Sequence, residues 1–121
     1  RLDGAIPAIS LSSETTLVAA GVNEVDPGLS FAEQVNGYGK QGDALLAFST
    51  APHTENVYNV VRVAKALGVA TVLVCGKDGG ATAEIADVAI HLPADVTFKI
   101  QELTLPTYHI LCALMEQAVF G

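Results

Sequence analysis

The residues best placed to do chemistry are hydroxyls. Ser49 and Thr50 follow the apolar run LLAF, and Thr54 precedes the amphipathic run VYNVVRVAKAL. Hydroxyls between a strand and a helix can donate to an anion. The first backbone N–H groups of a helix have no internal partners and carry partial positive charge. No lysine is needed for this, and the missing P-loop pattern argues against nucleoside-triphosphate hydrolysis. The loop holds no glycine: residues 49–54 read STAPHT. By itself it fits a phosphate cradle and a merely capped helix equally well.

A second pair is Gln101 and His109, eight residues apart. On an unbroken helix that spacing is about 800°, which puts both near one face. Pro106 lies between them and should kink or break the helix. A histidine on a mostly apolar helix is more often a satisfied core or rim residue than a catalyst. His53 and His91 have no obvious partners in the sequence. Glu102 and Glu116 read as solvated or as pairing at an interface.

The elements that must position these residues alternate. Residues 5–11 (AIPAISL) read as a short buried strand, and Ser12 to Thr15 as an N-cap signal for a short helix. Asn23 and Glu24 fall in a loop. Phe31, Val35 and Tyr38 have helical spacing. Residues 44–48 are a continuous apolar strand. A helix from Thr54 to Gly68 has Val57, Val60, Val61, Ala64 and Leu67 as its apolar face. VATVLV (69–74) is the clearest strand, and GKDGG (76–80) a turn. A short helical turn precedes a fourth strand at 88–92. Residues 98–120 read as a long C-terminal helix. Such alternation predicts an α/β fold: a doubly wound parallel sheet of about four to five strands flanked by helices, flavodoxin-like and three-layered. Ligands of such sheets sit at the carboxyl ends of the strands, where the Ser49 loop and the Cys75-Gly76 turn lie.

Composition sets the outer bounds. The 121 residues form a single domain, 1–121, with half of them hydrophobic and 16% charged, which describes a packed domain. The net charge of −7 and the absence of any basic cluster exclude direct nucleic-acid binding. No apolar run approaches the about 20 residues of a membrane span, and no signal peptide is visible. Cys75 and Cys112 lie in apolar runs, so buried reduced thiols and a cytoplasmic location are expected. The chain opens on Arg1 rather than methionine, which points to an N-terminal part that is missing.

Five segments in order resemble the sugar isomerase (SIS) domain, closest to the phosphoheptose isomerase group. They are IPAISLS (6–12), VNE (22–24), QGDALLAFSTAPHTENV (41–57), VLVCGKDGG (72–80) and IQELTLPTYHILCALMEQ (100–117). The family typically reads GD-V-L-hydrophobic-ISTSGNS-x-NV at the third, G-x-DGG at the fourth, and IQE with a histidine eight residues after the glutamine at the fifth. The resemblance implies a SIS-type fold and an aldose–ketose isomerase that converts sedoheptulose 7-phosphate to a heptose 7-phosphate through an enediolate. The alternative it leaves is a non-catalytic SIS module that senses a sugar phosphate or scaffolds a protein such as a replication initiator.

By position, the resemblance makes His109 the catalytic histidine. It makes Ser49, Thr50, Ala51, Thr54, Asn23, Glu24 and Gln101 substrate-binding, with Ser49, Thr50 and Thr54 on the phosphate. No cofactor is required, although Gln101 and His109 could ligate a Zn²⁺. The expected ligand is a phosphorylated sugar, and the expected assembly a homo-oligomer, commonly a tetramer. The departures are local. Glu24 stands where aspartate is usual, and Ala51 replaces a serine. Pro52 replaces a glycine and so removes an N–H, and His53 replaces an asparagine. Phe98 stands near the start of the last helix, where polar residues are usual. The family's other acid/base residue, a glutamate on an N-terminal helix, would precede Arg1.

Overall fold

The computed structural model of the protein describes residues 7–11, 30–52 and 54–121. The described elements are α1 (Ser30–Tyr38), β1 (Ala44–Phe48), α2 (Glu55–Ala66), β2 (Ala70–Cys75), α3 (Gly80–Ile85), β3 (Val88–His91) and α4 (Thr97–Phe120). The three strands are parallel and ordered β1-β2-β3. Register runs from Ala44 opposite Ala70 to Phe48 opposite Val74, and from Val72 opposite Val88 to Cys75 opposite His91.

An apolar run whose one hydroxyl is Thr71 suits β2 because both of its faces are covered. Leu73 and Cys75 point into a core built with Val35 of α1, Val60, Val61 and Ala64 of α2, and Ala47 of β1. Val74, between them, points the other way, against Leu92, Ala94 and Ile100 of the β3 exit and α4. This is the period-2 alternation of a central strand with a layer on each side. Leu73, Val61 and Ala64 are fully buried, each larger side chain contributing about 1.5–3 kcal/mol relative to exposure. The turn before β1 is closed by Asp43, whose carboxylate accepts the Lys40 N–H at 3.0 Å. Gly68 ends α2 with φ +78, the left-handed geometry of a helix stop.

Three strands are described where four to five were expected. The strand expected over residues 5–11 does not form in its described part: residues 7–10 are irregular and exposed, and Leu11 is 3₁₀-helical. Pro7 lacks a ladder donor, which disfavours sheet pairing there. The helix expected after Ser12 falls outside the described residues.

The break expected at Pro106 does not occur, and α4 runs unbroken for 24 residues. Pro106 offers no N–H to the Glu102 carbonyl, but both residues are exposed, so water can serve it. Thr104 and Thr107 donate their hydroxyls to the carbonyls of Ile100 (2.8 Å) and Leu103 (2.7 Å), adding bonds on either side of the proline. Among the described residues, a narrow stripe of α4 packs on the sheet, through Ile100, Leu103 and Leu111. Phe98, Leu105, Ile110, Leu114 and Val119 are exposed, as are Leu46 and Phe48 of β1.

Candidate functional site

The carboxyl ends of the three strands carry the candidate residues. The Ser49 N–H donates to the Val74 carbonyl at 2.9 Å, which extends the β1–β2 ladder one residue into the loop. The start of the loop is therefore as fixed as the sheet. The Ser49 hydroxyl donates to the Ala51 carbonyl at 2.7 Å. It also lies 3.2 Å from Thr54 Oγ1, which reaches the same carbonyl at 3.4 Å.

Thr54 is the N-cap of α2 with extended backbone (φ −111, ψ 105), yet its side chain makes no capping bond. An N-cap hydroxyl normally accepts from the second or third helical N–H. Here it turns back to Ser49 and Ala51. Thr54 thus leaves the start of α2 uncapped by its own side chain, and two hydroxyl donors converge beside it on one exchangeable acceptor. A phosphate oxygen could replace the Ala51 carbonyl as their acceptor, with the helix start supplying further donors and a favourable dipole. Thr50 is half-buried beside them, and Ala51 is exposed.

The glycine turn lies directly under this loop. Gly80 has φ +59, and the Pro52 carbonyl occupies the place where its Cβ would be. Its N–H donates to Asp78 Oδ1 at 2.9 Å. The DGG segment is therefore a support for the rewritten centre of the loop, and only glycine meets both requirements. A cavity of about 250 Å³ opens alongside, lined by Pro52, Thr54, Glu55, Tyr58, Ala81 and Thr82. It extends the loop's surface between the starts of α2 and α3.

His91, at the end of β3, has the partners its sequence context did not show. Its Nδ1 lies 3.1 Å from the Gly76 carbonyl and 3.5 Å from Cys75 Sγ. Burial pushes the Cys75 thiol up, and Asp78 adds to the shift. A neutral, unreactive thiol fits the expectation of a buried cysteine. Cys112 differs from that expectation. It is exposed on α4, because Leu111 alone of its apolar run lies in the packed stripe.

Gln101 and His109 both lie on the unbroken α4, and both are exposed. Their spacing leaves them about 80° apart around the axis and about 12 Å apart along it. The Tyr108 ring stands edge-on to His109 with centroids 4.8 Å apart. It also stands edge-on to Phe48, the last residue of β1, at 6.5 Å. The helix histidine is thus linked through rings to the strand that delivers Ser49.

Asn23, Glu24 and His53 lie outside the described residues. Among the described residues no group of three or more His, Cys, Asp or Glu side chains could hold a metal ion. Gln101 and His109 are two donors toward the four a Zn²⁺ takes, so these residues alone do not complete a zinc site. The Gly80–Pro52 contact, the His91 partners and the Tyr108 link all escape sequence reasoning. The paired glycines of the DGG turn were the only signal for any of them.

Comparison with known proteins adds a family and a length. The family model described as SIS domain matches residues 9–116. The phosphoheptose isomerase of Geotalea daltonii is 38% identical over 96% of this chain and 60% of its own length. That of Sulfurimonas denitrificans is 36% identical with the same coverage, 96% and 60%. Among solved structures, a phosphoheptose isomerase from Francisella tularensis superposes with TM-score 0.87 and 30% identity, over 92% of this chain and 62% of that one. The phosphoheptose isomerase GmhA from Neisseria gonorrhoeae gives TM-score 0.84 and 28% identity, over 88% and 60%. The chain therefore spans about three fifths of the length of these relatives.

Proposed function

The chain belongs to the SIS domain family, and from that premise we propose that it forms the phosphosugar-binding part of an aldose–ketose isomerase of the phosphoheptose isomerase type, with sedoheptulose 7-phosphate as substrate. The observation that carries this reading is the pair of hydroxyls, Ser49 Oγ and Thr54 Oγ1, 3.2 Å apart at a helix start that the Thr54 side chain does not cap. The names of the most similar relatives support the same substrate class.

In this reading the phosphate sits at the start of α2 and accepts from Ser49, Thr54 and the first-turn N–H groups, with Thr50 and Ala51 flanking it. Anchoring this remote group uses its binding energy to hold the reacting carbons in place. A base removes a proton from C1, and the electron pair forms the double bond of a cis-enediolate. The C2 carbonyl oxygen then takes a proton from an acid. Return of a proton to C2, with loss of the proton on the C1 oxygen, completes the aldose. His109 is one of the two proton-transfer groups, and Gln101 orients the substrate. Asn23 and Glu24 contact the sugar by their place in the motif.

The pattern of the family makes the second group a glutamate on an N-terminal helix. We further infer a cytoplasmic homotetramer. The exposed apolar side of α4 supports assembly with a second subunit, and no helix among the described residues is long and apolar enough to cross a membrane.

Calorimetry on the complete protein with sedoheptulose 7-phosphate and other phosphosugars tests the reading. Saturable binding that inorganic phosphate competes with is expected. No heat with any phosphosugar would sink it.

A further inference from the structure

Neighbouring residues on an α-helix point about 100° apart, so their side chains do not ordinarily face one another. Tyr108 and His109 do: their ring centroids are 4.8 Å apart at an interplanar angle of 85°. The Tyr108 ring also meets Phe48 at 6.5 Å and 80°. Both contacts have the edge-to-face arrangement that aromatic quadrupoles favour. Phe48 immediately precedes Ser49, whose N–H is held by the Val74 carbonyl at 2.9 Å. The three rings therefore run without a gap from the phosphate-side loop to the α4 histidine.

We propose that Tyr108 is a positioning residue that sets the separation between the phosphate anchor at Ser49 and the proton-transfer group His109. The inference rests on the reading of His109 given above. A phosphosugar has its phosphate and its reacting carbons at opposite ends of one chain. The distance from anchor to histidine is therefore what matches catalyst to substrate length. An aliphatic side chain at 108 offers no ring edge to either neighbour and leaves the imidazole free to rotate away.

The test uses the complete protein, with Tyr108→Leu, Tyr108→Phe, Phe48→Leu and His109→Ala compared in turnover, melting temperature and the NMR signals of the His109 ring. In Tyr108→Leu, kcat should fall about tenfold while KM stays within about twofold. The His109 ring signals should lose the shielding that an edge-to-face neighbour imposes. Tyr108→Phe, which keeps the ring, should restore both readouts. Phe48→Leu should lower kcat by less and leave the His109 signals nearer to wild type. If Tyr108→Leu fails to fold, Tyr108→Phe and Phe48→Leu carry the test through the same two readouts.

Unchanged kcat and unchanged His109 signals in Tyr108→Leu would overturn the proposal. So would a loss of kcat that tracks the melting temperature and moves KM equally. If His109→Ala keeps full turnover, the catalytic reading of His109 is what fails, and the ring signals alone then decide whether Tyr108 holds that side chain.

Discussion

The two ends of the sheet solve the same problem in opposite ways. At the amino end, Asp87 and Thr71 close on each other. The Asp87 carboxylate accepts from the Thr71 N–H at 2.8 Å and the Thr71 hydroxyl at 3.1 Å. The Asp87 N–H donates back to Thr71 Oγ1 at 2.9 Å, and Lys65 reaches the carboxylate at 3.3 Å. Thr71 and Asp87 thus satisfy one another reciprocally. At the carboxyl end, Ser49 and Thr54 share one carbonyl, and the Thr54 side chain does not cap the start of α2. The closed set ties β2 to β3, whereas the open set keeps donors that a ligand can claim. Reciprocity of hydrogen bonding separates the two clusters more clearly than residue type does, since both are built on hydroxyls.

Substitutions that exchange the two behaviours would break the contrast. The largest effect on binding is expected from Ser49→Ala, which should weaken phosphosugar binding by about 1.5–3 kcal/mol, the range for a hydrogen bond to a charged group. Stability should fall by only about 1 kcal/mol. Calorimetry and thermal melting on one preparation would show the split, and equal losses in both would erase it.

Thr71→Val should do the reverse. It removes a buried hydroxyl, leaves the Asp87 N–H without that acceptor, and should cost about 1–3 kcal/mol of stability. Phosphosugar affinity should not change. A variant that melts like wild type would show that the amino-end cluster is not structural.

The smallest effect concerns acid. The Thr71 backbone N–H, then its hydroxyl, then Lys65 hold the Asp87 carboxyl below the usual carboxylate range. A carboxyl with a lowered folded-state pKa adds stability above its unfolded value of about 3.9, and that stability is lost as pH falls further. Wild-type melting temperature should therefore drop more steeply than that of Asp87→Asn below about pH 4, with the two curves parallel above pH 5. Parallel curves throughout would remove Asp87 from the acid response.

Much of this arrangement was legible in the residues. ALLAF and ATVLVC could only be strands buried on at least one face, and Val60, Val61 and Ala64 marked the covered side of α2. Both strand ends and the Ser49 loop fell where expected. The partners of the polar groups were not legible. Asp87 and Thr71 are 16 residues apart, and nothing local couples them. Thr54 carries a strong capping signature, yet its hydroxyl serves the loop, because Ser49 and the Ala51 carbonyl are brought closer by the strand exit than a cap alone would require. Pro106 warned of a break that an exposed helix with flanking threonine bonds did not need to make. Cys112 looked buried because an apolar run says nothing about which of its sides is covered.

What the sequence determined by itself was periodicity and motif order: alternating strands and helices, and five segments in the SIS arrangement. Those are properties of residues within a few positions of one another, where backbone geometry converts spacing directly into faces. Only the tertiary structure decided that Gly80 seats Pro52, that Tyr108 bridges Phe48 and His109, and that one end of the sheet is closed while the other is open. Ser49, Ala51 and Thr54 lie within five residues of one another and Tyr108 adjoins His109, but the Gly80–Pro52, Phe48–Tyr108 and Thr71–Asp87 contacts join residues distant in the chain. Such contacts are set by where parallel strands and their crossovers place the chain ends, which no local spacing encodes.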